Sequence, residues 1–195
     1  TGFNDIYFTR VSTSSAQQGG EVRLTANDAF SAGTPEIVWT GSEYGIVYED
    51  NRFGDYNVFF TRVSAAGVQQ GSEVILTVDD TFNGAYQQIA WNGYEYGVVY
   101  RDNRLGDYNG YFKRVAANGT ALSETLLTTD DTKNTTELRI VWNGTEWGIA
   151  YYDNELTDNN VYLARVEPSG KLMGTPTLVS PDDTSGASNL RFIWT

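Results

Sequence analysis

Short apolar stretches alternate with polar turns along the whole chain, and the same order of stretches returns several times. In the second unit the apolar positions predict four strands, which we call A, B, C and D: Gln88 to Trp91, Tyr96 to Tyr100, Gly110 to Val115 and Thr125 to Thr128. Tight turns join A to B and C to D, whereas longer polar links join B to C and D to the next A. Four short antiparallel strands per unit predict the blade of a β-propeller.

A tryptophan at the end of strand A marks each unit. These residues lie 52, 51 and 52 residues apart, and the residues after them repeat as Trp-X-Gly-X-Glu, an aromatic residue and Gly. A period near 50 residues with strand character is typical of propellers and related arrays. We expect the tryptophan rings to fill the wedge between neighbouring blades. The four positions are Trp39, Trp91, Trp142 and Trp194.

The repeat predicts one all-β propeller domain over residues 1–195, with three complete blades and a split, incomplete fourth blade. We place the complete blades at 35–86, 87–137 and 138–189, strands C and D of the split blade at 1–34, and its strand A at 190–195. Its strand B, equivalent to Gly41 to Phe53, is missing. Three arrangements stay open: a four-bladed ring with one defective blade, a fragment of a larger propeller, or a blade that a second chain completes.

Composition narrows the chemistry. The net charge of −12 argues against a nucleic-acid partner. The chain has no Cys and no His, which removes thiolate chemistry, the usual general base and the commonest transition-metal ligand. Any metal would be a hard cation held by oxygen atoms, and calcium comes first. No apolar run is long enough to span a bilayer. The missing initiator Met suggests a processed or excised chain, and a composition rich in Gly, Asn, Thr, Asp and Tyr and low in Lys favours a secreted or surface-displayed protein.

The repeated pattern Trp-X-Gly-X-Glu-Tyr-Gly-Val-Val-Tyr-X-Asp, followed by Tyr-Phe-X-Arg-Val, resembles the β-propeller repeats of bacterial secreted and surface proteins. In plan, four such blades are also similar to hemopexin-like domains, although those usually join their ends with a disulfide that this chain cannot form. The resemblance implies the fold and leaves the function open, because similar propellers are lectins, adhesion modules, structural appendages or enzyme domains.

The B–C loops carry the most suggestive repeated polar residues. Carboxylate and amide oxygens at alternate positions around a Gly are typical of calcium loops, although the spacing is not that of an EF-hand. The alternative is structural: the first Asp caps a turn and the Arg pairs with an acid. The candidate metal ligands are Asp50, Asp55, Asn57, Asp102, Asp107, Asn109, Asp153 and Asp158.

A second acidic element follows strand D, where carboxylates again suit either a cation or a turn. In a meander blade the B–C and D–A links emerge at one end of the sheet, so both acidic sets are expected on one face. We call it the loop face. The D–A residues are Asn27, Asp28, Asp79, Asp80, Asp130, Asp131, Asp182 and Asp183.

The loop face is the predicted binding surface, because long loops on a rigid scaffold usually carry binding residues. Its aromatic rings suit the apolar faces of sugars, and its acids, amides and arginines suit polar groups. The candidate ligand-binding residues are Tyr56, Tyr108, Phe53, Arg52 and Arg104. The arginines at the end of strand C, Arg62, Arg114 and Arg165, are expected to form one ion pair per blade.

Three functions follow from these features. The first is an extracellular binding or adhesion propeller that recognises a glycan or a surface protein, with calcium as a ligand or brace, because similar sites on several blades give multivalent binding. The second is a structural or oligomerising module whose split blade a partner strand completes. The third is a glycosidase or polysaccharide lyase, which is disfavoured because no unique acid departs from the repeat.

Overall fold

The chain is an all-β protein built from antiparallel sheets. The computed structural model describes residues 3–26, 29–77, 83–128, 133–154, 159–180 and 189–194. No helix in these ranges has the length and apolarity to cross a membrane. The D–A acid pairs and Asp158 lie outside the described residues.

Three four-stranded meander sheets follow one another along the chain. We refer to them as blades 1, 2 and 3. Blade 1 contains β3 (Ala32–Trp39), β4 (Glu43–Asp50), β5 (Asn57–Ser64) and β6 (Val74–Ile75). Blade 2 contains β7 (Gly84–Trp91), β8 (Glu95–Asp102), β9 (Asn109–Ala116) and β10 (Ala121–Leu126). Blade 3 contains β11 (Thr135–Trp142), β12 (Trp147–Asp153), β13 (Asn160–Val166) and β14 (Thr177–Leu178). These sheets confirm the predicted four-stranded propeller blades.

The split blade is present as a half sheet before blade 1. β1 (Tyr7–Phe8) pairs antiparallel with β2 (Val22–Arg23), at the positions predicted for strands C and D. At the other end of the chain, residues 189–194 form no strand. A strand needs a hydrogen-bonded neighbour, and none of the described strands pairs with this segment. Instead, Leu190 packs against Ala150 and Tyr152 of blade 3.

The first strands of the blades are longer than predicted. In blade 2 the strand begins at Gly84 instead of Gln88, and it contains a register shift between Ala85 and Gln88. The equivalent shift occurs in β3 and β11. A bulge inserts an extra residue and breaks the alternation of apolar and polar side chains. For this reason the pattern along the sequence hid the start of strand A.

Neighbouring blades pack face to face. β7 packs against β3, β4 and β5 of blade 1, and β11 packs against β7, β8 and β9 of blade 2. Apolar side chains fill both interfaces, and Tyr96 and Trp147 are among their fully buried rings. Burial of such rings supplies much of the free energy that holds the blades together.

The wedge between blades is filled mainly by the aromatic residue of strand B. Tyr96 and Trp147 are fully buried, whereas 46% of Trp39 and 45% of Trp194 are exposed. The tryptophans of blades 1, 2 and 3 pack beside the strand-B ring of their own blade, as in the pair Trp91 and Tyr96, whose centroids are 4.5 Å apart. Trp91 and Trp142 are partly buried and pack against the inter-blade clusters, so they share the wedge with the strand-B rings instead of filling it alone.

Candidate functional site on the loop face

One arginine in each B–C loop of blades 1 and 2 ties the loop to strand D. Arg104 donates from its backbone N and from Nη2 to Asp102, over 2.8 and 2.9 Å, and Nη1 donates to Glu124 on β10 over 2.8 Å. Its guanidinium lies over the ring of Tyr111 at 4.3 Å. Blade 1 repeats the arrangement with Arg52, Asp50, Glu73 and Phe59.

Two buried tyrosines complete these networks. Tyr48 donates its hydroxyl hydrogen bond to Glu73, and Tyr100 donates to Glu124. Burial, together with the neighbouring glutamate, raises the pKa of both phenols well above the ordinary value. The phenols therefore remain protonated donors at neutral pH.

The asparagines of the same loops support the backbone. Asn103 accepts a hydrogen bond from the backbone N of Asn83 at 2.7 Å, and Asn51 accepts one from Ser31 at 2.8 Å. Asn57 and Asn109 are buried and accept from the hydroxyls of Thr77 and Thr128. These bonds anchor the B–C loops of blades 1 and 2 to strand D and to the start of strand A of the same blade.

The candidate metal ligands are distributed over this framework. The carboxylates of Asp50 and Asp102 are held by Arg52 and Arg104, and Asp153 accepts a hydrogen bond from Thr135 at 2.8 Å. Asp55 and Asp107 are half-buried, and their backbone oxygens accept from the Asn57 and Asn109 amides. Asp158 lies outside the described residues. Among the residues that are described, three or more acidic side chains do not converge on a common point. Calcium binding stays a prediction.

The aromatic candidates differ in exposure. Phe53 is 53% exposed at the tip of its loop, and Tyr56 is also exposed. Tyr108, the equivalent of Tyr56 in blade 2, is half-buried because the side chain of Arg101 lies over its ring. The structure therefore presents two exposed rings in blade 1 and one covered ring in blade 2.

The bulges of strand A create a second set of special positions on this side of the blades. Each bulge holds one residue in the left-handed region: Thr34, Tyr86 and Glu137 have φ of 47°, 57° and 47°, and Asn189 has the equivalent value of 59°. Bulges and left-handed residues other than glycine are enriched near binding sites. The four residues are all different, although their surroundings repeat, so this position presents a new side chain in every blade.

Arg101 occupies another position at which the repeats differ. It stands between Tyr100 and Asp102, where blade 1 has Glu49 and blade 3 has Tyr152. Its guanidinium carbon lies 4.1 Å from the ring centroid of Tyr86 and 4.0 Å from that of Tyr108. Its Nε is buried without a hydrogen-bond partner.

Arg101 also differs from the other arginines in its partners. In the described part of the chain every other arginine has a carboxylate or carbonyl oxygen within 3.6 Å. Those contacts involve Arg10, Arg23, Arg52, Arg62, Arg104, Arg114, Arg139, Arg165 and Arg191. Burial lowers the pKa of Arg101, and the nearby Tyr86, Tyr108 and Glu49 only partly oppose this effect.

Sequence reasoning missed Arg101 because it looked for repetition. The repeated residues Arg52, Asp50 and Asn57 proved to be part of the framework that holds the loops. Variation between the repeats could have identified Arg101. Its position changes from Glu to Arg to Tyr in the three blades, between a Tyr and an Asp that are the same in all three.

Blade 3 lacks the arginine network and has a groove beside the same strands. Pro176 replaces the glutamate of strand D, and Glu155, outside the described residues, replaces the arginine. The groove has a volume of about 330 Å³ and is lined in part by Leu127, Tyr162 and Pro176. Its lining is mainly apolar, with polar atoms from Asp153 and the threonines at its edge.

Comparison with known proteins does not identify this chain: no protein-family model matches it, and a search of curated proteins finds no match either.

Proposed function

We propose that this protein is an extracellular binding propeller whose loop face recognises a glycan or a surface protein. The observation that carries the proposal is the contrast on the loop face between a rigid repeated framework and side chains that change from blade to blade. Glu49, Arg101 and Tyr152 share one framework position, and Thr34, Tyr86 and Glu137 share another. Tyr152 is buried, whereas Thr34 and Tyr86 are exposed, so the variation reaches the surface mainly at the bulge position. Variable side chains on a regular scaffold are typical of recognition surfaces.

Carbohydrate is the preferred ligand because of the rings that this face exposes. Phe53, Tyr56 and Tyr86 offer apolar surfaces for stacking, and neighbouring amides and carboxylates can bond hydroxyl groups. A lectin-like or adhesive role also fits the resemblance to repeats of bacterial secreted and surface proteins. The acidic chain fits this extracellular location and disfavours nucleic acid as a partner.

A glycan array tests this proposal. The wild-type chain should bind a defined class of saccharides, and the double variant Phe53→Ala/Tyr56→Ala should lose most of the signal. Tyr94→Ala is the matched control, because Tyr94 is 85% exposed on the A–B turn, which emerges at the end opposite the loop face. Equal loss in both variants, or no binding by the wild type, would refute a glycan site on the loop face.

Calcium is part of the proposal as a brace for these loops. Asp55 and Asp107 are the ligands that the described loops offer, beside the acid pairs of the D–A links. A thermal melt with millimolar calcium and with EDTA tests it. A higher melting temperature in calcium that Asp55→Asn/Asp107→Asn abolishes supports a cation site, and a melt that does not move rejects it.

A second candidate function is self-association through the two end blades. Val11 of the split blade is 63% exposed, whereas its equivalents Val63, Val115 and Val166 are fully buried against the preceding blade. At the other end Val179 is 59% exposed, although Leu76 and Leu127 are buried at the same position. These two faces are of the kinds that meet between consecutive blades, which favours head-to-tail contact with a second copy.

A further inference from the structure

We infer that Arg101 is a binding residue for the carboxylate of an acidic saccharide. This inference deepens the proposed function and rests on it, since it assigns a ligand class to one part of the loop face. It begins from a positive group that is partly removed from water and that has no oxygen partner among the described residues.

The guanidinium of Arg101 is held in place as a hydrogen-bond donor. Tyr86 and Tyr108 hold the guanidinium over their rings, which restricts its movement. Nε is buried without a hydrogen-bond partner, while the residue as a whole is only half-buried. A planar guanidinium fits a carboxylate through two parallel hydrogen bonds.

The surroundings favour a sugar that carries the carboxylate. Tyr86 is exposed on the bulge of β7, so its ring and hydroxyl can contact the rest of the ligand. The surroundings of Arg101 thus offer an anion-binding group and an aromatic ring, beside the Glu49 carboxylate of blade 1, whose charge acts on Arg101.

Arg52 and Arg104, the arginines of the B–C loops, are less suitable than Arg101 for binding a ligand carboxylate. Arg52 and Arg104 are each held by two carboxylates, so a ligand carboxylate would have to displace Asp50 and Glu73 or Asp102 and Glu124. At the position of Arg101, blade 1 has Glu49 and blade 3 has Tyr152, so neither of these blades has a cation there. The carboxylate site is therefore specific to blade 2, in contrast to the multivalent sites that the repetition predicted.

Titration calorimetry of the full chain with trigalacturonic acid tests this inference. Arg101→Gln should weaken binding about tenfold or more, because a charge-assisted pair of hydrogen bonds is lost. Arg101→Lys keeps the charge and loses the fork, so it should also bind more weakly than the wild type. Arg165→Gln is the control for net charge, because Arg165 lies at the end of strand C away from the loop face and should leave the affinity unchanged.

The neutral galactose trimer of the same linkage separates this inference from the proposed function. Binding of the acid that exceeds that of the neutral trimer only while Arg101 is present supports the inference. Equal affinity of wild type and both Arg101 variants would overturn it, as would equal binding of an acidic peptide. If only the neutral trimer binds, the inference fails and a glycan-binding loop face survives. If neither the trimers nor the array saccharides bind, both fail. A melt of each variant excludes unfolding as the cause.

Discussion

At the scale of single residues, arginine has two different roles on the loop face. Arg52 and Arg104 each form ion pairs with two carboxylates and hold the B–C loops to strand D. Arg101 has two aromatic neighbours and no oxygen partner in the described residues. The same residue type therefore serves the framework in two positions and is available for a ligand in the third.

Arg104→Gln tests the framework role. The substitution leaves the carboxylate of Asp102, which is almost fully buried, without its cation. We expect the free energy of unfolding to fall by about 3 kcal/mol, as is usual when one partner of a largely buried ion pair is removed. Urea denaturation measures this change. Lys171→Gln, at an exposed turn, is the control. A loss in Arg104→Gln no larger than that of the control would contradict the framework role.

The carboxyl group of Glu49 is expected to make the stability of the fold depend on pH. Burial raises the pKa of Glu49, while a hydrogen bond from Thr34 and the charge of Arg101 oppose the rise. A carboxylate with a raised pKa in the folded state stabilises the fold less as pH rises through the folded pKa. Glu49→Gln should therefore gain stability relative to the wild type between pH 4 and pH 7. Urea denaturation at both pH values measures the gain, and a constant difference would contradict it.

Residue-level prediction succeeded where a role repeats. The ion pairs expected from Arg62, Arg114 and Arg165 are confirmed, since each pairs with the glutamate at the start of strand B. The binding roles assigned to Phe53, Tyr56 and Tyr108 stay predictions. Arg101 could not be found in this way, because its special environment arises from Tyr86, a residue brought to it by a bulge that the sequence pattern concealed.

At the scale of the strand and the sheet, a glycine in strand B sets the distance between blades. Gly45, Gly97 and Gly148 lie where an aromatic side chain of the next blade packs directly on the backbone. A Cβ atom at Gly97 would lie 2.9 Å from both Phe112 and Trp147. The glycine therefore permits the close approach on which the buried interface depends.

Gly97→Ala tests this spacing. The methyl group has to displace buried rings, so we expect the free energy of unfolding to fall by about 2 kcal/mol. Gly20→Ala is the matched control, because a Cβ there meets no atom within 4 Å and the backbone is not left-handed. Thermal denaturation of both variants gives the comparison. If Gly97→Ala is as stable as the wild type, the blades can move apart without loss of stability, which would contradict the proposed role of the glycine.

The elements themselves were largely predictable because each strand repeats three times. The exceptions were the start of strand A, described above, and strand D of blade 2, which covers Ala121–Leu126 instead of Thr125 to Thr128. A register shift between Ala121 and Glu124 interrupts its alternation. Local irregularities of this kind depend on contacts with the neighbouring strand, which the pattern along one strand does not contain.

At the scale of the whole molecule, the faces between consecutive blades are covered, whereas the outward faces of the split blade and of blade 3 are exposed. Arg62 and Arg114 each donate to a backbone carbonyl in the next blade, at Ala117 and Ser169. Among the described residues Arg165 pairs only with the glutamate of its own blade, and its side chain is 53% exposed. Val11 on the split blade and Val179 on blade 3 are exposed as well. The two outward faces therefore correspond to the two opposite sides of the repeated interface between blades.

Sedimentation velocity over a range of concentrations tests whether these faces meet. The wild type should associate with rising concentration, and Val11→Glu/Val179→Glu should remain monomeric because each change places a charge in an apolar contact. Val68→Glu, on an exposed turn of blade 1, should behave like the wild type. A wild type that stays monomeric throughout would remove self-association from the account.

Ligand binding to the loop face can be tested with a hydrogen-exchange footprint. Exchange would be measured with and without the saccharide that gives the strongest array signal. We expect protection in the B–C loops, at residues 51–57 and 103–109, and at the strand-A bulges around Thr34 and Tyr86. Protection confined to the A–B turns at 40–43 and 92–95 would place the ligand at the opposite end of the blades and would refute a binding site on the loop face.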